Sequence, residues 1–179
     1  MRKILRNRLA LSTVVTTLII LVVSVLLAGV VTYFAINVVS TRVQQESLAL
    51  TYTHVWVDPT GTAQAAVLVK NTGGRDVVVN AIQVRGIAAT FGTNVYMKTD
   101  TTDPGALLPL TAWTGYTKPT GQIILSSGGM VEIYICKPTS VSINDVGTTI
   151  GITVFTANAM YYQETNVQAA PTGTTLPTS

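Results

Sequence analysis

Few residues in this chain have side chains suited to catalysis or metal binding, and their spacing limits what they can do. His54 is the single histidine. A triad or an imidazole metal site needs partners for it, and the neighbourhood supplies none: His54 alternates with Tyr52 and Trp56, which reads as one place in a strand. Cys136 is the single cysteine. No disulfide can form within the chain, and the Val131–Cys136 run reads as a strand in which a small thiol packs. Asp100 and Asp103 form a short Asp-Thr-Thr-Asp segment that lacks the third carboxylate and the loop pattern of a cation site. Gly73-Gly74 and Gly128-Gly129 lie before strand-like runs, so they are turn glycines rather than a phosphate cradle, which opens a helix. No paired acid and base stand out. The expectation is a chain that is not an enzyme and carries no cofactor.

The apolar content directs attention elsewhere. The hydrophobic fraction is 47% and the charged fraction 11%, against about 25% charged in ordinary soluble domains. The formal charge of +3 is local: Arg2, Lys3, Arg6 and Arg8 supply four of the eleven basic residues. Beyond residue 10 there remain seven basic and eight acidic residues, a net −1. A nucleic-acid surface is therefore not expected.

Leu9 to Thr41 holds no charged residue. These thirty-three positions exceed a secretory apolar region of about 7–15 residues and the roughly 20 needed to span a bilayer. The basic cluster ahead of them places the N-terminus on the cytoplasmic side. The segment is rich in valine and isoleucine, yet in lipid only a helix satisfies its own backbone, so a helix is predicted over 11–48. Between Val14 and Val39 stand eighteen large apolar side chains. Their burial is worth roughly 30–50 kcal/mol at about 1.5–3 kcal/mol each, so the helix belongs in lipid or in a bundle of like helices. Ser24, Ala28 and Thr32 recur at steps of four, with Gly29 and Ala35 beside them; small residues so placed let helices approach closely.

Arg6-Asn7-Arg8-Leu9-Ala10-Leu11-Ser12-Thr13-Val14-Val15, running into Thr16–Val31, resembles the class III signal and hydrophobic helix of archaeal type IV pilins. The resemblance implies cleavage by a prepilin peptidase between Ala10 and Leu11, which would remove a leader of residues 1–10 with its four charges. Leu9 separates Arg8 from Ala10, whereas the family often has the charge adjacent. Bacterial type IV pilins carry glutamate at the fifth mature position; here it is Val15, as fits the archaeal members. The glycine cut site and early glutamate of archaellins are absent.

Residues 49–163 break into seven or eight short apolar runs with turn signals at roughly 8–12-residue intervals, which predicts an antiparallel sandwich. Ala88–Met97 is one such run, and Thr148–Ala157 is the last. Val69–Gly74, Val77–Val79 and Ile82–Gly86 resemble the start of the immunoglobulin-like head of archaeal pilins. The expected class is therefore α+β: a long hydrophobic helix, then an immunoglobulin-like antiparallel β-sandwich, in a lollipop outline. Residues 164–179 read as a flexible tail rich in Thr and Pro, whose hydroxyls suit O-linked sugar. No Asn-x-Ser/Thr sequon exists in the chain.

The resemblance implies a structural subunit of an extracellular adhesive filament, membrane-inserted as a precursor and exported by a pilus assembly machinery. Its partner would be further copies of itself. The competing expectation is a single-pass cell-surface protein whose ectodomain binds a partner.

Overall fold

The computed structural model describes residues 2–43, 45–99, 106 and 113–177, with backbone alone for 2–10 and 42–43. Among the described residues one long helix, α1 (Arg2–Val43), precedes nine strands. These are β1 (Leu48–Val57), β2 (Ala63–Asn71), β3 (Val77–Val84), β4 (Ile87–Ala88), β5 (Val95–Thr99), β6 (Ile123–Leu125), β7 (Met130–Cys136), β8 (Thr149–Thr156) and β9 (Met160–Ala169). A single 3₁₀ turn lies at Ile143–Asp145. The class is α+β. The chain divides into two compact units, Met1–Val43 and Gln44–Ser179.

The helix holds in spite of its β-branched residues, since no proline interrupts it before Pro59. It ends at Val43, short of the expected Leu48, because the next residues give their polar groups to the β-domain. Ser47 O accepts hydrogen bonds from Thr72 N–H (2.9 Å) and Gly73 N–H (3.1 Å), and Gln45 O accepts one from Gly74 N–H (3.3 Å). The Glu46 carboxylate accepts from Thr156 Oγ1 and from Asn158 Nδ2, the latter at 2.8 Å. Leu48 is buried and opens β1.

The β-domain has two halves. One runs β1-β2-β7-β5, antiparallel throughout. In the other, β3 pairs with β8 and β8 with β9, while β4 and β6 share the far edge of β3. The halves join where β9 runs parallel to β1 over Val55↔Val167, Trp56↔Gln168 and Val57↔Ala169. The expected purely antiparallel sandwich is thus a continuous mixed sheet curled into a half-barrel. A register shift in β1 between Thr51 and His54, with Tyr52 at φ 48°, supplies a bend there. Side chains from both halves enclose one core: Val55, Val67 and Ile133 from the first, Val79, Ile82 and Ile152 from the second, all fully buried.

Three boundaries differ from expectation. Ala88–Met97 is not one strand: Asn94 Oδ1 accepts the Thr90 N–H (2.8 Å) and closes a turn between β4 and β5. The head also continues past residue 163. Strand β9 escaped notice because its sequence, Met-Tyr-Tyr-Gln-Glu-Thr-Asn-Val-Gln-Ala, is mostly polar and exposed; of its residues Val167 is fully in the core, with Tyr161 packed against it. Beyond it the segment read as a flexible tail packs on the sheet: Ala170 N–H donates to Val57 O (2.8 Å), Leu176 is buried, and its N–H reaches Asp58 Oδ2 at 3.5 Å.

At Gly73 the segment after α1 lies close against the domain. A β-carbon there would lie 2.5 Å from Gln45 O and 2.8 Å from Ser47 N, both backbone atoms. Gly73→Ala should therefore displace residues 45–47 and lower stability by about 1–3 kcal/mol. Thermal unfolding of the detergent-solubilised chain, followed by the β-sheet circular dichroism signal, should show a midpoint several degrees lower.

Candidate functional site

The largest feature without an internal partner is the surface of α1. From Leu11 to Thr41 it is a thirty-one-residue span of mean hydropathy 2.9, none of it buried. Its large apolar side chains, Leu11 through Val39, are each 45–73% exposed. At 1.5 Å per residue the span is about 46 Å long, against a hydrocarbon core of about 30 Å. By length and composition it can cross a membrane.

Its hydroxyls make no demand on a neighbour. Thr16 Oγ1 donates to Ser12 O (2.9 Å), Ser24 Oγ to Ile20 O (2.7 Å), Thr32 Oγ1 to Ala28 O (2.8 Å) and Thr41 Oγ1 to Asn37 O (2.8 Å). Such back-bonding satisfies each hydroxyl within the helix and leaves the surface nonpolar in effect. At about 100° per residue, Ser24, Ala28, Thr32 and Ala35 fall within an arc of about 80°. Gly29 falls roughly 60° beyond that stripe, with open space where a β-carbon would stand. The Ala10–Leu11 bond lies within α1, and Leu11 is exposed.

Among the described residues the β-domain buries a cluster of ionisable side chains. It lies on the outer face of the β1-β2-β7-β5 half. Glu132 and Tyr134 alternate with core residues of β7 and are themselves fully buried. Tyr134 Oη is 2.8 Å from Glu132 Oε1 and 2.6 Å from Ala106 O, and Tyr116 Oη donates to Glu132 Oε2 at 3.0 Å. The Trp113 ring stacks at a tilt on Tyr96 (4.2 Å between centroids) and meets Tyr116 and Tyr134 edge-on. Lys98 and Lys118 cover the Tyr116 and Tyr96 rings at 5.3 and 4.8 Å. Burial, then the Glu132 carboxylate, hold the Tyr134 phenol far above its usual range. The two phenols close the carboxylate off from solvent. The cluster therefore fastens the Trp113–Lys118 segment to β7 and offers no open acid or base. Sequence reading placed Glu132 and Tyr134 on one face but missed this role; a carboxylate in the middle of an apolar strand was the available signal.

The remaining candidates are structural in their surroundings. His54 stacks on Trp56, with centroids 5.2 Å apart. Asp100 and Asp103 lie outside the described residues. Among the described residues no group of three or more His, Cys, Asp and Glu side chains is placed to hold a metal ion. A hollow of about 180 Å³ beside β4, bounded by Val84, Asn94, Ile135 and Ser140, is lined by no ionisable side chain.

No protein-family model matches the chain, and no curated protein matches it. Among solved structures, the copper-bound PCuAC domain from PmoF2 is 14% identical; the match covers 71% of this chain and all of that one, at a TM-score of 0.36. A β-glucosidase from Listeria innocua in complex with glucose is 12% identical, and the match covers 69% of this chain and 16% of that one, at a TM-score of 0.28. Likenesses this distant leave the reading to the chain's own residues.

Cys136 is fully buried, and that burial pushes its thiol up to about 12. Because only the thiolate attacks, the native protein should not react with Ellman's reagent at pH 8 and should react fully once unfolded in guanidinium. Rapid labelling of the folded chain at pH 8 would contradict the buried placement.

Proposed function

We propose that this chain is the structural subunit of an extracellular filament of the archaeal type IV pilus kind, polymerising through α1. The observation that carries the reading is the exposed apolar surface of α1, longer than a bilayer is thick. Burial of that many side chains is worth several times the 5–15 kcal/mol stability of a typical domain, so the helix needs lipid or protein around it at every stage. A precursor held in the membrane and a product held in a helix bundle meet that need in turn. The leader resemblance supplies the transition. Cleavage at Ala10–Leu11 by a prepilin peptidase removes Arg2, Lys3, Arg6 and Arg8, the charges that hold the N-terminus on the cytoplasmic side. The β-domain then forms the outer layer, with adhesion as the role. Heterologous association of identical subunits gives an open polymer rather than a closed ring.

The same helix would serve a single-pass surface protein that keeps its leader, and the two readings part at the mature N-terminus. Sequencing of protein sheared from cells should begin at Leu11, in material that pellets as long filaments. A start at Met1, with the protein confined to the membrane fraction as a small species, would overturn the filament reading in favour of the anchored one.

The packing stripe gives a second measurement. Ala28→Glu sets an unpaired carboxylate where bundled helices would meet. The variant should still be made and inserted in the membrane, but filaments should be absent from the sheared fraction by electron microscopy. Normal filaments from it would remove this stripe from the bundle core.

A further inference from the structure

The two outer faces of the β-domain are treated differently by the chain. On the β1-β2-β7-β5 half, Trp56, Ala66 and Tyr134 are covered by Trp113, Tyr116, Ala170 and Leu176. The outer face of the β3-β8-β9 half has no such cover among the described residues. Register and alternation bring six apolar side chains together there. Ile124 pairs beside Val78, and beyond the shift at Asn80, Ala81, Phe155 and Met160 follow across β3, β8 and β9. Tyr162 stands two residues from Met160 on the same face. Ile124 is 72% exposed, Met160 62% and Tyr162 56%.

Charge divides the same way. Glu164 is the sole charged residue on β3, β4, β6, β8 and β9, and it is exposed. The opposite outer face carries Lys70 and Lys98, which alternate outward from core residues of β2 and β5, with Lys118 over Tyr96. The acidic residue of those strands, Glu132, is buried beneath Tyr116 and Tyr134.

Building on the filament reading, we infer that the apolar β3-β8-β9 face docks a second copy of this chain, which presents its Lys98–Lys118 face. A bare apolar stripe edged by a carboxylate fits a surface edged by lysines. A contact between two different faces is heterologous and propagates. The head would thus add a directional contact to the helix bundle.

Charge exchange tests this on assembled filaments from the full chain. Glu164→Lys should lower filament recovery by sedimentation about tenfold at low salt, where exposed charges act most strongly. The triple variant Glu164→Lys, Lys98→Glu, Lys118→Glu should restore it. Met160→Asp, at an exposed site outside the core, should also depress recovery, while circular dichroism of the detergent-solubilised chain stays native. Wild-type recovery from both Glu164→Lys and Met160→Asp would overturn the docking face. Loss in Glu164→Lys without rescue in the triple variant, whose circular dichroism must also stay native, would overturn the lysine face as its partner. A wild-type chain that forms no filaments at all would instead remove the filament reading, leaving the two failures distinct.

Discussion

Removal of one apolar surface from water is the constraint on which the rest of this protein depends. The side chains of α1 from Leu11 to Val39 point outward on all sides. A helix with a polar face can rest one side on a core, but this one has no side that prefers water. The hydroxyls of Ser24 and Thr32 are already turned back on the helix, which lowers their demand for solvent. The environment must therefore be supplied from outside the chain. Lipid and copies of the same helix are the two environments that match the surface in kind.

The β-domain meets the opposite demand, since it must be stable in water with little charge to help. It does so by closing one core within a curled sheet and by spending its few ionisable groups locally. Asp58 shows the pattern. Burial by itself would raise its pKa, but hydrogen bonds from Thr60 Oγ1, Thr62 N–H and Thr60 N–H hold the carboxyl below its usual range. Arg85 pairs with Asp145 at 2.7 Å, and Glu46 fixes the chain just after the helix to the β8–β9 turn. Buried polar groups in this domain act as fasteners for loops.

How much of this was legible in the sequence depended on the range over which each signal acts. The helix was plain because its signal is local and long: no charge, no proline, and twenty-one apolar residues between Leu11 and Thr41. The alternating runs in β1, β2, β3 and β7 were plain for the same reason. What remained hidden rests on contacts between distant residues. Nothing near Met160–Ala169 marks it as a strand, since its partners, β8 and the end of β1, supply the apolar side. The segment just after α1 was equally non-local, being held by Thr72, Gly73 and Asn158. Of the candidate site, the small-residue stripe at 24, 28, 32 and 35 could be read from spacing. The tyrosines around Glu132 could not, because Tyr116 reaches it from a separate loop.

The brief parallel pairing of β9 with β1 has a mechanical meaning. Strand β1 is where the chain from α1 enters the sheet, and it is held on one edge by β2 and on the other by β9. A pull applied at Leu48 along the axis of β1 loads both ladders in shear, so many hydrogen bonds resist together instead of opening one after another. With an antiparallel neighbour on one side and a parallel one on the other, the strand that takes the load is clamped between two supports.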